Sequence, residues 1–459
     1  MITCIFVLGL FFQSGCSGDE NKNLTKIKLW HSYEAEQRKL FESMVDLYNS
    51  TEGAENNTFV FLEYKSEEEI DNNLNSNIKS LKKSEEYPEI SFISGETANK
   101  ANAFNLLVCA ENYLTESQLV HYFSGFLNEG RITGANETYI FPITKKVDCL
   151  IINGSEWSDF YRSRDVSVED WNTWDGLEKL GEKYYSWSEG KALFAFENLE
   201  NFIYAYTAQK LPVLVQTGYN EIKINTNKEV LKGVWDIYYN GVVKGYISQT
   251  EDINSAIENR EIIAYIGAHC GRNELPAQYI TQNGTKNTMA VTSSSYPVIN
   301  YSRNIIPQTG YGVAVFDHGE EVNAKCYNFL NWFCTNEMII DFSFTGNEIA
   351  SCKSVYNKVA FNNYINEKYL EDHIKTYMLS TSIEQLKEGS SYGAVEFVGF
   401  DSFSEALELS LIEISAQGRE KVEKLMEEGM LYSEALSSID SDSAFEEWYN
   451  HIVTLSENY

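Results

Sequence analysis

The chain is poor in positive charge for its length. Its 459 residues include 36 Lys and Arg against 67 Asp and Glu, which gives a formal net charge of −31 at pH 7. A surface this acidic repels phosphate backbones, so we expect no nucleic-acid partner. Hydrophobic residues make up 43% of the chain and charged residues 22%, the balance of a folded globular protein. Because one hydrophobic core rarely serves more than about 250–300 residues, the length predicts two lobes.

Short catalytic and metal-binding motifs are also scarce. The sequence has no His-Glu-x-x-His, no Gly-x-x-x-x-Gly-Lys-(Ser/Thr) and no Cys-x-x-Cys, and its 6 His are scattered. His31 and Glu34 have the spacing of a metal pair, but without further ligands they are more simply neighbours. A glycosidase needs two carboxylates about 5–10 Å apart across a cleft, and no segment singles out such a pair. We therefore expect no catalytic activity, no cofactor and no metal.

One apolar run, near the N-terminus, predicts export. Residues 5–12 read IFVLGLFF and are followed by QSG and Cys16. The run is shorter than the roughly 20 residues that span a bilayer, and it fits the apolar core of a signal peptide. Ser-Gly-Cys looks like a bacterial lipobox, in which the cysteine is diacylated. We expect a signal peptide at 1–15, a lipidated tether at 16–25 and a location on the outer face of the cell membrane or in the periplasm. The alternative is an ordinary cleaved signal with Cys16 incidental.

The cysteines beyond the N-terminal region show no zinc spacing. Cys149 lies in an apolar stretch and Cys326 on an apolar helical face, so buried free thiols are expected there. The full set is Cys109, Cys149, Cys270, Cys326, Cys334 and Cys352.

The first hundred residues alternate between strand and helix patterns. Strands are predicted at 26–30, 59–64 and 90–93, and helices at 33–49 and 67–83. This alternation predicts an α/β fold with a mostly parallel, doubly wound sheet. In such sheets the ligand lies beyond the carboxyl ends of the strands. That rule selects two loops as candidate ligand-binding sites, formed by His31, Ser32, Tyr33 and Glu34 and by Ser94, Gly95 and Glu96. For His31 and Glu34, capping of the following helix is the alternative.

The C-terminal part reads as helical. From residue 401 onward, apolar residues recur at helical spacing, and we expect these helices to cover the second lobe. A loop is predicted at 437–443.

An ordered series of segments resembles the family 1 extracellular solute-binding proteins. The series runs from about residue 24 to residue 360. Its members are WHS at 30–32, YPEISFI at 87–93, YIFP at 139–142 followed by CLIIN at 149–153, WNTWDGL at 171–177, AIENREIIAYIG at 256–267, GYGVAV at 310–315, AKCYNFLNWF at 324–333 and TG at 345–346.

The resemblance implies a two-lobed, type II periplasmic-binding-protein-like fold with a hinge between the lobes. The implied N-terminal lobe comprises 26–144 plus 309–346, and the implied C-terminal lobe comprises 145–306 plus 350–459. The implied function is to capture a small solute, most simply a carbohydrate, and to deliver it to the transmembrane permease subunits of an ABC transporter. A monomer is expected.

The resemblance also points to candidate ligand contacts on segments near the family's cleft. Sugar sites combine apolar ring faces with polar groups for the hydroxyls. The candidate aromatics are Tyr33, Phe194, Phe196, Tyr311 and Phe397, each of which has a core position as its alternative. The other candidates are Lys145, Lys146, Gly267, His269 and Gly310.

Two alternatives to a sugar-binding receptor stay open. The opening Trp30-His31-Ser32 is closest to the branch that binds glycerol phosphodiesters, and the cations of Lys145 and Lys146 suit a phosphorylated ligand. A surface lipoprotein that acts as a sensor or adhesin would share the anchor and the fold.

Overall fold

The computed structural model of the chain is a two-lobed α/β protein. It describes residues 24–76, 78–83, 87–132, 137–218, 221–268, 275–357 and 359–459. The predicted signal peptide, Cys16 and the predicted tether up to residue 23 lie outside the described residues. The α/β class and the two-lobed fold expected from the sequence are confirmed.

The elements divide into runs separated by strands of a small central sheet. The first run is β1 (Thr25–His31), α1 (Ala35–Ser50), α2 (Glu52–Glu55), β2 (Thr58–Tyr64), α3 (Glu67–Ser76), β3 (Ile90–Ile93), α4 (Gly95–Asn102), β4 (Leu107–Val108), α5 (Glu116–Leu119), α6 (Ser124–Glu129) and β5 (Ile140–Phe141). After the central strand β6 (Thr144–Val147), the second run is β7 (Cys149–Asn153), α7 (Gly154–Ser163), α8 (Trp174–Trp187), β8 (Phe194–Phe196), α9 (Leu199–Lys210), β9 (Val215–Gly218), β10 (Glu221–Ile224), α10 (Lys228–Val243), β11 (Ile247–Ser248), α11 (Ile253–Glu258), β12 (Ala264–Gly267), β13 (Gln278–Ile280), β14 (Lys286–Thr288) and β15 (Val291–Ser294). The remainder is β16 (Ile305–Thr309), β17 (Gly312–Phe316), α12 (Glu320–Thr335), α13 (Ile339–Thr345), β18 (Ile349–Ala350), α14 (Val359–Glu371), α15 (His373–Glu388), β19 (Ser390–Tyr392), α16 (Phe400–Glu427), α17 (Tyr432–Ser437) and α18 (Ser441–Ser456). Short 3-10 helices lie at Ile78–Lys83, Ala110–Asn112, Val168–Asn172 and Lys353–Asn357.

Each lobe is built around one sheet. The first sheet has the order β2-β1-β3-β17-β4, with β5 also paired to β17, and the second has the order β11-β8-β12-β7-β15. Strands joined by helical crossovers are parallel, as β1 is to β2 and β3. By contrast, β17 is antiparallel to β3, and β7 is antiparallel to β12. The sheets are therefore mixed rather than mostly parallel, because β17 and β7 each follow a central strand after a very short link instead of a helix.

A third sheet, which we call the hinge sheet, has the order β18-β6-β16-β19. Strand β6 pairs antiparallel with both β16 and β18, and β16 pairs parallel with β19. The predicted lobe boundaries at residues 144 and 309 fall on these strands and stay a prediction.

The strand and helix predictions for the N-terminal part are confirmed, with shifted ends. Helix α1 begins at Ala35 and buries Phe41, Met44, Val45 and Tyr48 against the first sheet, the spacing expected of an amphipathic helix. The helix expected at 67–83 instead ends at Ser76.

The C-terminal helices cover the second lobe, as expected. Helix α16 packs along α10, and the Trp235 ring of α10 stacks on Tyr239 at 3.9 Å and lies 5.6 Å from the Trp448 ring of α18. The loop predicted at 437–443 is wrong in extent, because α18 already begins at Ser441. The Asp440 side chain caps that helix by accepting the Ser443 N–H at 3.0 Å.

The described cysteines are all buried, namely Cys109, Cys149, Cys326, Cys334 and Cys352. The predicted burial of Cys149 and Cys326 is thus confirmed. Burial raises the pKa of the Cys109 and Cys326 thiols above the ordinary thiol value. Within the described part of the chain, no helix has the length and apolar character needed to cross a membrane.

Candidate ligand-binding site

A cavity of about 220 Å³ lies between the two lobes beside the hinge sheet. The carboxyl end of β3 and helix α6 form its first-lobe wall, and the start of α9 forms its second-lobe wall. Strand β16 and the segment after β19 close it at the hinge. Its position beyond the carboxyl end of β3 is the one expected for a ligand in an open α/β sheet.

Aromatic rings form a large share of the apolar part of the cavity wall. The Tyr204 and Phe400 rings stack on each other at 5.5 Å with an interplanar angle of 25°. The Tyr204 hydroxyl is 2.6 Å from the Ser404 hydroxyl, so the ring position is fixed at both ends. Tyr311, Tyr392 and Phe126 lie elsewhere on the wall. Such faces can pack on the C–H side of a sugar ring.

Lys145 of β6 joins the hinge to the first lobe. Its ammonium lies 2.9 Å from Glu129 Oε2 of α6 and also donates to the Gly310 carbonyl oxygen. Gln308 of β16 donates to the same Glu129 oxygen at 2.5 Å and to the Gly125 carbonyl at 3.2 Å. Gly310 has a φ of +116°, a conformation that glycine adopts without strain. The cation in the wall is therefore engaged by protein groups.

The acidic groups of the wall lie on both lobes. Glu129 comes from α6, Glu200 from the first turn of α9, and Glu396 from the segment after β19. Burial raises the pKa of the Glu200 carboxyl above its ordinary value, and the Ser404 hydroxyl partly opposes this shift. Asn201, beside Glu200, donates to Asp148 Oδ2 at 3.0 Å. Carboxylates and amides of this kind can bind the hydroxyls of a solute.

Glu396 reaches the N-terminus of α4. Its Oε2 accepts the Gly95 N–H at 2.6 Å and the Glu96 N–H at 3.3 Å, while the Ser94 hydroxyl caps the helix by accepting the Thr97 N–H at 3.2 Å. Burial, with the Glu129 carboxylate nearby, raises the pKa of Glu396 to about 7.

The structure brings some of the sequence-predicted residues together at this cavity. They come from three separate parts of the chain. The members of this group are Ser94, Gly95, Lys145, Gly310 and Tyr311. Their contact with a ligand stays a prediction.

A second group lies beside the cavity without lining it. The Ser32 hydroxyl donates to Glu67 Oε1 at 3.4 Å, and Glu67 also interacts with Tyr311 and Lys146. Glu96 is ion-paired with Lys100 at 2.6 Å.

The rest of the first predicted loop faces the core or the surface of the first lobe. The His31 ring is buried, 5.0 Å from the Phe41 ring, and burial lowers the pKa of His31 to about 4. The Tyr33 ring packs edge-on against Phe92 and Phe342. Glu34 precedes α1 but does not cap it with its side chain, which accepts the Tyr64 hydroxyl at 2.8 Å.

The remaining candidates lie in or beside the second lobe. Phe194 is buried in β8, and Phe397 is buried with its ring 5.5 Å from Phe400. Phe196 lines a different pocket, formed with Tyr238 and Ser248. At Gly267, the end of β12, an added Cβ would meet Glu197 Oε2 at 2.3 Å. His269 lies outside the described residues.

Sequence reasoning missed much of the wall. It did not identify these wall residues: Phe126, Glu129, Glu200, Asn201, Tyr204, Gln308, Tyr392, Glu396 and Phe400. Their signal in the sequence is weak, because they lie on α6, α9, β16, β19 and the segment that leads into α16, which are far apart in the chain and meet only in the folded protein. The presence of a strand at 390–392 next to β16 is what brings the last three of them to the cavity.

One segment of the hinge sheet matches the sequence pattern of a serine-hydrolase nucleophile motif. Residues 389–393 read GSSYG, which has the Gly-x-Ser-x-Gly spacing of a nucleophile elbow. In an elbow the serine lies on a sharp turn between a strand and a helix. Ser391 instead lies within β19, opposite Ile306, and the next helix begins at Phe400. The segment is a hinge strand and lacks the geometry of an elbow. The described residues also hold no cluster of His, Cys, Asp and Glu that could bind a metal ion.

Comparison with known proteins identifies the class. The chain matches the family model described as bacterial extracellular solute-binding protein over residues 45–368. Because this match covers well over half of the chain, the chain belongs to that family, whose members are the solute-binding components of ABC-type importers. The family implies an extracytoplasmic or periplasmic location. No curated protein sequence matches the chain significantly.

Solved structures show the same fold at low sequence identity. The cyclic α-maltosyl-1,6-maltose binding protein of Arthrobacter globiformis superimposes with a TM-score of 0.69 at 12% identity, covering 95% of this chain and 100% of that one. The sugar-binding protein MalE of Xanthomonas citri has a TM-score of 0.67 at 10% identity, covering 95% and 98%. UgpB of Mycobacterium tuberculosis, in complex with glycerophosphocholine, has a TM-score of 0.59 at 13% identity, covering 94% and 98%.

Proposed function

We propose that the chain captures a carbohydrate in the cavity beside the hinge and delivers it to the permease of an ABC importer by closing its lobes. The observation that carries this proposal is the composition of the cavity wall. The stacked rings of Tyr204 and Phe400 offer an apolar face, and the oxygens of Glu200 and Asn201 offer hydrogen-bonding groups beside it. A sugar ring presents these same two kinds of surface. Two of the similar structures carry maltose or sugar binding in their names, which supports the same ligand class.

The charge of the wall favours a neutral ligand over a glycerol phosphodiester. Glu129, Glu200 and Glu396 contribute negative charge, and the Lys145 ammonium is already paired with Glu129. A phosphate group entering this wall would lie beside the carboxyl groups of Glu200 and Glu396, while the ammonium of Lys145 is held by Glu129. The UgpB complex keeps the phosphodiester as the second candidate, and its test is the same binding experiment.

Delivery requires that the solute stabilise one arrangement of the lobes. The wall contains residues of both lobes, so a bound solute contacts both at once and shifts the population toward the closed form. The hinge strands β6, β16 and β18 provide the connections about which the lobes rotate. In this proposal the permease subunits recognise the closed form, the receptor works as a monomer without catalytic activity, and a diacyl anchor on Cys16 holds it at the membrane. A sensor or adhesin role would share the anchor but not the delivery.

Ligand-induced stabilisation tests the proposal. Thermal unfolding with monosaccharides, oligosaccharides, polyols and glycerol phosphodiesters should give an increase in Tm with a neutral carbohydrate, followed by a dissociation constant from calorimetry. Tyr311→Ala should weaken that binding about tenfold, or ~1.4 kcal/mol. The matched control is Tyr301→Ala, because Tyr301 is fully exposed and lies outside the cavity wall. Absence of any shift across the panel, or turnover of one of the compounds, would contradict the proposed function.

A further inference from the structure

The Glu396 carboxylate takes the place at α4 where an anion would bind. The N-terminus of a helix presents free N–H groups and a positive partial charge, and both favour anions. At α4 these donors are the N–H groups of Gly95 and Glu96, and both point to Glu396 Oε2. Both Gly95 and Glu396 line the cavity.

The contact is built from both sides. Asn99 of α4 donates from Nδ2 to the Glu396 carbonyl oxygen at 2.7 Å, which fixes the backbone of the segment as well as its carboxylate. Gly95 leaves the space for this approach, since an added Cβ would lie 2.6 Å from Glu396 Cβ and 2.8 Å from its Oε2. The absence of a side chain at Gly95 therefore allows Glu396 to reach the helix.

The surrounding charges do not compensate a second anion. The ionisable groups that face Glu396 are Glu129 of α6, Asp401 of α16, Lys145 of β6, Glu96 of α4, Glu200 and Tyr204 of α9, and Tyr311. Among these, Lys145 is the cation, and it is paired with Glu129 at 2.9 Å. An anionic solute that bound at α4 would have to displace the Glu396 carboxylate, and the negative charge of Glu396 would remain in the cavity beside it.

We propose that Glu396 is a specificity-determining residue, a tethered carboxylate that occupies the anion-binding end of α4 and so excludes solutes with an acidic group from the cavity. This inference rests on the proposed function in that it concerns the same cavity. It adds that a solute with an acidic group could bind at the N-terminus of α4 only by displacing the Glu396 side chain, whereas a neutral solute need not displace it.

Removal of the carboxylate tests the inference with inorganic sulfate as the probe. Glu396→Ala should bind sulfate at least tenfold more tightly than the parent chain in calorimetric titrations, because it frees the Gly95 and Glu96 N–H groups. Glu388→Ala is the matched control, since it removes the same charge from an exposed position outside the cavity. If Glu396→Ala does not fold, Glu396→Gln keeps the shape and removes the charge, and it should give a smaller gain of the same sign.

The pH dependence provides a readout that a purely structural role would not change. Sulfate keeps its charge between about pH 6 and about pH 8, whereas Glu396 takes up a proton as the pH falls through about 7. The parent chain should therefore bind sulfate severalfold more tightly at the lower pH, and Glu396→Gln should lose this dependence.

The outcomes separate this inference from the proposed function. If the parent chain binds a neutral carbohydrate but neither Glu396 variant gains sulfate affinity over the parent and the Glu388 control, the inference is wrong and the proposed function stands. If no chain binds any carbohydrate while Glu396→Ala gains sulfate affinity, the proposed function fails and the role of Glu396 stands.

Discussion

Replacement of Lys145 by methionine removes the positive end of an ion pair that joins the hinge to the first lobe. The Lys145 side chain is 4% exposed and that of Glu129 is 18% exposed. Loss of one partner from a buried pair typically costs about 3–5 kcal/mol, because the other charge stays buried without compensation. Glu129 keeps some solvent and its hydrogen bond from Gln308. The lower end of the range, about 3 kcal/mol, is therefore the expected loss of unfolding free energy.

Calorimetric and urea unfolding measure this loss. A destabilisation of about 3 kcal/mol should lower Tm by roughly 6–12 °C, the shift expected for a unit of about 150–250 residues. Lys146→Met is the matched control, since Lys146 is adjacent in sequence and only partly buried, and it should change the free energy by less than about 1 kcal/mol. The double variant Lys145→Met/Glu129→Gln should recover most of the loss, because it removes both charges.

Two results would refute this reasoning. One is a loss for Lys145→Met no larger than that for Lys146→Met. The other is a double variant as unstable as Lys145→Met, which would mean that the unpaired Glu129 charge is not the cause.

Three further perturbations follow from buried groups elsewhere. Burial lowers the pKa of His31 from 6.5 to about 4, so between these pH values the unfolded chain binds a proton that the folded chain does not bind, and the folded state loses stability as the pH falls. His31→Leu should abolish up to about 3 kcal/mol of this acid destabilisation in urea unfolding. The control His121→Leu, at an exposed position, should leave it unchanged. Arg260 Nε lies 2.5 Å from the buried Glu156 carboxylate, so Arg260→Met should lower the unfolding free energy of the second lobe by about 3–5 kcal/mol. An unfolding free energy equal to that of the parent chain in urea unfolding would contradict a stabilising role for this ion pair. Trp448→Ala should cost about 3–5 kcal/mol in the same assay by opening a cavity between α18 and α10, and a loss below about 1 kcal/mol would mean that α18 contributes little to that core.

Periodic patterns gave the parts of the fold that depend on local burial. Helix α1 could be predicted because one face is buried and the spacing of its apolar residues records that face, whereas strand β3 could be predicted as a short segment after Pro88 in which every residue is buried. The antiparallel entry of β17 could not be predicted in this way, since strand direction depends on how the chain crosses the hinge and not on residue spacing. The start of α18 at Ser441 was missed because a run of Ser and Asp is typical both of a loop and of a helix cap.

The candidate site was predictable only where it follows a strand of the first sheet. Ser94 and Gly95 were found because the carboxyl-end rule applies to β3 directly. His31 follows the same rule, but its ring turns into the core, and no pattern in the sequence reports that choice. Glu396 lies 301 residues from Gly95 in the sequence, and only the folded hinge brings the two together.

The reaction of the buried thiols with a labelling reagent can report local opening of the folded chain. Each described cysteine is buried in the folded protein: Cys109, Cys326 and Cys334 in the first lobe, Cys149 in the second sheet and Cys352 in the segment after β18. A thiol reagent can modify them only when the surrounding structure opens, so labelling rates at individual cysteines measure local opening free energies without any engineered probe. Burial of these thiols also matters during folding in an oxidising compartment. After export, each thiol can be oxidised until the part of the chain around it has folded, so slow folding favours oxidation.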